Sequence, residues 1–214
     1  MNLFYAPDIS GDQFTLASDE SKHLIRVLRM KSGDKITFTD GKGVFYDCEI
    51  KAANPKACVI RVTAKKEVGD KRPIRLHVAI APTKNLNRFE WFLEKATEIG
   101  IDKIIPIICA HSERKTLKTE RHEKVLVAAM KQSLKPRLPL LEQPVAFGEL
   151  IKTEFPGLKF IAYIDEEVTL PLSKACLPGE DALILIGPEG DFSPSEVEQA
   201  KEHGFQPVSL GPSR

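Results

Sequence analysis

Residues 182–186, Ala-Leu-Ile-Leu-Ile, are apolar at every position and close on Gly187-Pro-Glu-Gly190 before a helix start. A strand with one face in water alternates apolar and polar side chains, so a strand without alternation is covered on both faces. Crossover helices provide that cover, which predicts an α/β domain. The rest of the chain from residue 73 keeps the same rhythm. Apolar runs at 74–81, 101–108, 158–165 and 205–211 are separated by helical periodicity at 85–100, 119–133 and 194–204. A mostly parallel sheet with right-handed crossovers follows. Leu86, Phe89, Leu93 and Ala96 share one helix face, with Gly100 as the stop. Thr119 is the expected cap of the second helix. Ser193, Pro194 and Glu196 have the spacing of a capping box with proline at the first helical position.

The first seventy residues read differently. Residues 34–41 alternate and end in the turn pair Asp40-Gly41, and 43–66 read as two strands around a turn at Asn54-Pro55. Several short strands at this spacing predict a small barrel. A short helix over 18–30 precedes them, with Ser18 as its cap and Ser21 three residues on. The polar stretch 67–73 ends in proline, placing a domain boundary near residue 72: domains 1–72 and 73–214.

The net charge of +1 is unevenly spread: +3 over residues 1–72, +6 over 73–140 and −8 over 141–214. A basic front of this kind suits a polyanion such as nucleic acid. No apolar run approaches the roughly 20 residues of a membrane helix, and the N-terminus has no secretory pattern. Cys48, Cys58, Cys109 and Cys176 are scattered, as expected of small buried side chains in a reducing cytoplasm. No cysteine–histidine cluster at ligand spacing indicates a metal.

Strand, glycine loop and helix often form a phosphate site, but Glu189 and Asp191 would repel phosphate, and the capping box already occupies backbone N–H groups at the helix start. The loop suits a ligand with hydroxyls, an adenine edge or a positive centre. S-adenosylmethionine has all three. A tight turn that merely connects strand to helix is the plain alternative.

The segments "LILIGPEGDFSPSE", "SLGPSR", "KATEIGIDKIIPI", "HSERK" with "KQSLKPRLP", and "HLIRVLRMKSGD" together resemble, in order, the RsmE-type 16S ribosomal RNA uracil-N3 methyltransferases of the SPOUT (trefoil-knot) superfamily. The resemblance spans His23 to Leu210. It implies a PUA-like RNA-binding β-barrel followed by a knotted α/β methyltransferase domain, a homodimer with active sites near the subunit interface, S-adenosylmethionine as methyl donor, and 16S rRNA, within the small ribosomal subunit, as substrate. It puts Ile186, Gly187, Glu189 and Gly190 in one cofactor loop, Leu210 and Gly211 at the start of a second, and Ile164 at the neighbouring strand end. Asp191 stands where the family commonly has a second glycine. The family also continues past Leu210-Gly211 with a segment that closes the knot and half the cofactor pocket. A chain ending at Arg214 is therefore expected to lack that knot helix and to bind the cofactor weakly.

For RNA, residues 111–137 carry eight Lys/Arg against three Glu. Arg114 and Arg137 lie in the family-like blocks, and Gln132 has an amide that could read a base edge. Arg26 and Arg29, three apart, are expected on one helix face, and Lys84 at the functional edge of the sheet. His111 and His122 read as polar surface residues. Uracil N3 holds its proton at neutral pH, so transfer to it needs a base or a stabiliser of the anion. Glu113, Glu189 and Asp191 are candidate bases, with Arg114 and Arg137 as stabilisers of the uracil oxygens. The competing classes are a non-catalytic RNA-binding module, separated by cofactor binding, and other SPOUT methyltransferases acting on transfer RNA or on ribose.

Overall fold

A computed structural model describes residues 3–69 and 74–211. By packing, the chain divides into Met1–Asp70 with Val127–Leu138, and Lys71–Leu126 with Pro139–Arg214. The boundary expected near residue 72 lies outside the described residues.

The alternating segments of the first unit form a five-stranded sheet. Strands β1 (Leu3–Tyr5), β2 (Gln13–Thr15), β3 (Lys35–Thr39), β4 (Val44–Ala52) and β5 (Val59–Glu67) lie in the order β1-β3-β4-β5-β2. Only β1 and β3 are parallel. Phe38 stands opposite Tyr46, and Ile50 opposite Ile60. Phe4, opposite Phe38 on β1, and the period-two neighbours Ile36 and Cys48 join them in one core with Leu24 and Cys58. The strands β1 and β2 are too short to show alternation.

The helical segment of this unit departs from expectation. Helix α1 (Ser18–Lys22) starts at Ser18 itself, with Ala17 at the cap position and no side-chain cap bond. Ser21 is buried instead: its Oγ donates to Leu16 O at 3.1 Å and accepts from Cys58 N at 2.9 Å, fastening the helix to the sheet. The chain then widens into a π-helical turn, His23–Val27, closed by Leu28 N donating to His23 O. Arg29 follows with φ 56°. A wide turn and a left-handed residue break the 3.6-residue period, so Arg26 and Arg29 do not share a helix face.

The second unit holds β6 (Leu76–Ile80), α2 (Leu86–Ile99), β7 (Lys103–Ile108), the start of α3 (Thr119–Gln132), β8 (Leu140–Leu141), β9 (Val145–Ala146), α4 (Phe147–Leu150), β10 (Leu158–Ala162), α5 (Leu172–Ala175), β11 (Ala182–Ile186), α6 (Pro194–Glu202) and β12 (Gln206–Val208). Its sheet order is β12-β10-β11-β6-β7-β8, with β9 also on β7, and every pairing is parallel. The non-alternating strand β11 lies between β10 and β6, where Ile184 faces Phe160 on one side and Val78 on the other. Leu183 and Leu185 join Ile161, Phe192, Val197 and Ala200 in one core cluster. Ala182 and Ile184 join Phe160 and Val208 in another.

Helix α2 buries Phe89, Leu93, Ala96 and Thr97, and Asn85 caps it by accepting from Asn87 N. Gly100 ends it at φ 102°, donating to Ala96 O at 2.8 Å. An alanine at that left-handed position is expected to destabilise the fold by about 1 kcal/mol, measured as a lower urea midpoint at unchanged slope. Thr119, the expected cap of α3, is its first helical residue, and its hydroxyl accepts from Gln143 Nε2 at 2.8 Å. His122 is not a surface residue: it is 1% exposed, its ring meets Phe89 edge-on at 5.5 Å, and Lys118 O lies 2.8 Å from Nδ1. The start of α3 meets α2 there, with Arg121 Nε also 2.8 Å from Glu90 Oε1.

Cys48, Cys58 and Cys109 are buried and Cys176 is half-buried, all as free thiols. Among the described residues, no group of side chains has the composition of a metal site, and no helix is long and apolar enough to cross a membrane.

Candidate active site

Parallel strands place all their C-terminal ends on one edge of the sheet, the edge where α/β folds bind ligands. Here the segments after β6, β7 and β10 are each tied to the stretch after β11 by carboxylates that accept from backbone N–H groups. Glu189 Oε1, in the loop after β11, accepts from Lys84 N at 2.9 Å, in the loop after β6. Asp191 Oδ2 accepts from Ile164 N, just past β10, at 2.9 Å, and its Oδ1 from Phe192 N at 2.8 Å. Glu196 Oε1 accepts from Ala110 N, after β7, at 2.8 Å. Its Oε2 completes the capping box with Ser193, as the spacing indicates.

Asp191 explains its own departure from glycine. It adopts φ 59°, the left-handed conformation that glycine takes freely and that Asp tolerates through local hydrogen bonds. Its carboxylate then bonds the adjacent strand end, which a glycine could not do. The turn is closed by Asp191 N donating to Pro188 O at 2.9 Å. Phe192 follows into the core against Phe147, 5.5 Å between centroids. A Cβ on Gly187 would meet the Phe192 ring at 3.2 Å. One on Gly190 would meet His111 Cβ at 3.2 Å, so His111 approaches where a side chain would intervene. His111 Nδ1 lies 3.0 Å from Gly190 O and 3.1 Å from Asp191 O. Carbonyls only accept, so Nδ1 carries the proton.

Between the ends of β10, β11 and β12 lies a cleft of about 570 Å³. Six of the seven residues expected to bind cofactor line it: Ile164, Ile186, Gly187, Glu189, Leu210 and Gly211. Gly190 is one turn position away, against His111. Sequence reading missed Tyr163, Asp165, Val168 and Ser209, which also line it. The segment after β10 is drawn onto β12 by Ser209 N donating to Leu170 O at 2.8 Å and Leu172 N to Ser209 O at 2.9 Å. No residue pattern marks a wall made by backbone pairing.

Of the proposed catalytic and RNA-binding residues, Glu113, Arg114 and Lys84 come together in this unit. Lys84 Nζ stands 2.7 Å from Glu113 Oε2, and this bond and charge raise the lysine pKa. The Arg114 guanidinium donates to Lys84 O at 2.9 Å and Thr83 O at 3.4 Å. Burial, reinforced by the Glu196 charge, pushes the Cys109 thiol up to about 12, so it stays neutral and unreactive. The remaining residues belong to the first unit. Arg26 and Arg29 are exposed, as is Gln132, the last residue of α3. Arg137 donates to Lys42 O at 3.1 Å and Val68 O at 3.5 Å, with Gly43 leaving room for its guanidinium.

The cleft fits the ligand that the sequence suggested. Its volume lies within the roughly 300–1,000 Å³ of small-ligand sites. Ile164, Ile186, Val168 and Leu210 offer apolar surface for a flat ring, and the strand ends offer backbone groups for polar edges. Asp165, Glu189 and Asp191 set negative charge beside a cation.

Comparison with known proteins agrees with this geometry. An RNA methyltransferase domain model matches residues 70–214, and an RNA methyltransferase PUA domain model matches residues 16–63. A crystal structure of a probable rRNA-methyltransferase from Porphyromonas gingivalis is 46% identical with a TM-score of 0.92, covering 100% of this chain and 91% of that one. A methyltransferase structure from Legionella pneumophila, in complex with bound SAM, is 27% identical with a TM-score of 0.86, covering 99% of this chain and 90% of that one. The ribosomal RNA small subunit methyltransferase E of Bacillus subtilis is 27% identical over 212 residues, 93% of this chain and 82% of its own length. A PUA-like sheet, a parallel α/β sheet with a strand-end cleft, and matches along the whole chain converge: the protein belongs to the RsmE-type family of RNA methyltransferases.

Proposed function

We propose that the protein is an S-adenosylmethionine-dependent methyltransferase that methylates N3 of a specific uridine in 16S rRNA. The observation that carries this reading is the cleft where β10, β11 and β12 end, apolar in its walls and bordered by Asp165, Glu189 and Asp191. S-adenosylmethionine, when bound, supplies an electrophilic methyl group on a positively charged sulfur. Ile164, Ile186, Gly187, Glu189, Gly190, Leu210 and Gly211 are the residues we assign to hold it.

The protein's own task is to hold the acceptor in register and manage one proton. Loss of the N3 proton to a base leaves negative charge shared by N3 and the uracil oxygens, and N3 would then take the methyl group as the carbon–sulfur bond breaks and its electron pair leaves on sulfur. Both Asp191 oxygens are bonded to backbone N–H groups, and Glu189 is bonded to Lys84 N. Glu113 is held only by an exposed lysine side chain, a weak tether, which favours it as the proton acceptor. Arg114, fixed by two carbonyls beside it, is assigned to the oxygen charge.

The supporting frame is residues 1–72 as a PUA-like RNA-binding barrel and 73–214 as a SPOUT-type methyltransferase domain without its knot helix. Arg26, Arg29, Lys84, Gln132 and Arg137 are assigned to RNA. Ile164 and Leu210 are 71% and 62% exposed at the cleft rim. Apolar side chains so placed support a homodimer with subunits meeting near the cleft. We assign the assembled small subunit as the substrate and the cytoplasm as the compartment.

The test is mass spectrometry of ribosomal RNA from cells lacking the gene. One 3-methyluridine should vanish from 16S rRNA and return with the wild-type gene. An unchanged modification pattern refutes the assignment.

A further inference from the structure

We propose that a groove in the first unit, separate from the methyl-donor cleft, receives one unstacked base of the RNA substrate. The proposal rests on the reading that the substrate is RNA and adds where a second nucleotide is gripped.

The groove measures about 500 Å³. Leu3 and Phe4 of β1 contribute to its lining together with His23, the end of α3 contributes Lys131 and Gln132, and Leu134 follows just past it. Phe4 is 5% exposed, so it offers little surface of its own. His23 is exposed, with its ring centroid 6.4 Å from that of Phe4. An exposed imidazole backed by a buried aromatic ring is a stacking surface for a flat heterocycle. Gln132 adds an amide with both donor and acceptor, the equipment for a base edge. Lys131 adds a cation for the adjoining phosphate, and among the described residues no acidic one lines the groove. The unit as a whole holds 14 Lys/Arg against 10 Asp/Glu.

The backbone places the groove's rim by helix capping. Among the described residues, three that are not glycine have positive φ: Arg29, Leu134 and Asp191. Asp191 lines the methyl-donor cleft. Leu134 lines this groove, 45% exposed, and Arg29 directly follows its lining residue Leu28. At Leu134 that conformation closes the end of α3, where Lys135 N donates to Met130 O at 3.0 Å and Leu134 N to Lys131 O at 3.4 Å, the capping pattern in which a left-handed residue ends a helix and turns its side chain toward the groove rim.

The test titrates the full chain with short fluorescein-labelled oligouridylate and oligoadenylate at several salt concentrations. His23→Ala and Gln132→Ala should each weaken binding about tenfold without changing the salt dependence, because stacking and amide contacts displace no counterions. His23→Phe should restore affinity. Lys131→Ala should lower the salt slope by about 0.7, the value for one single-strand phosphate contact. All four variants should bind S-adenosylmethionine as the wild type does. The proposal is overturned if His23→Ala and Gln132→Ala bind both oligonucleotides like the wild type, if His23→Phe binds no better than His23→Ala, or if the wild type binds neither at low salt. In each case intact S-adenosylmethionine binding leaves the methyltransferase reading standing.

Discussion

Replacing Arg114 with alanine is expected to lower kcat for rRNA methylation about a hundredfold or more, the usual cost of losing a charge-stabilising donor. Affinity for S-adenosylmethionine should stay close to wild type. The reason lies in the placement of the side chain. A guanidinium has five N–H donors in a rigid fork, and the carbonyls of Thr83 and Lys84 fix that fork beside Glu113. Arg114→Lys keeps the charge but cannot reproduce the fork, so it should recover only a small part of the rate. Steady-state kinetics with small-subunit substrate, alongside calorimetry of donor binding, separate the two quantities. Near-normal kcat in Arg114→Ala would remove Arg114 from the chemistry and leave it a loop fastener.

Asp191 should show the opposite pattern. Asp191→Ala is expected to lose about 3 kcal/mol of stability, from two hydrogen bonds to an ionised acceptor and from a left-handed backbone without a local bond. Donor affinity should fall about tenfold, since Ile164 N would no longer be held at the cleft. At saturating donor, kcat should persist. Asp191→Gly, which keeps the backbone conformation and loses only the bonds, should fall between alanine and wild type, and Asp191→Asn should lie nearest wild type. Denaturant unfolding and calorimetry read out this order. Loss of kcat at saturating donor in Asp191→Ala would instead make Asp191 the base.

These two residues also show what the sequence could and could not convey. The central strand, the helices around it and the capping box were legible because each rests on local pattern: apolar continuity at Ala182–Ile186, helical period in α2, serine and glutamate three apart at α6. The loop after β11 stood out through its unusual acids, but their bonds to neighbouring backbone were not legible. Glu189 and Asp191 looked like counter-charges for a cation, and both carboxylates in fact also bond backbone N–H groups of neighbouring segments. Such bonds depend on residues 27 to 105 positions apart, which no local rule reaches. Arg26 and Arg29 were misplaced for a local reason: nothing in their spacing announces a π-helical turn. His122 was misjudged because its burial depends on which face of α3 meets α2.

The ties along the strand-end edge have a consequence for how such a protein changes over generations. Each joins an acid in 189–196 to a backbone amide at Lys84, Ala110 or Ile164. A backbone amide is present whatever side chain stands there, proline excepted. A substitution at Lys84, Ala110 or Ile164 other than proline therefore leaves the tie itself in place, whatever it does to the side chain's own role. The side chains that the ties require all stand in one short stretch, Glu189 to Glu196, so a change at any of those three acids loosens a different neighbour of the cleft.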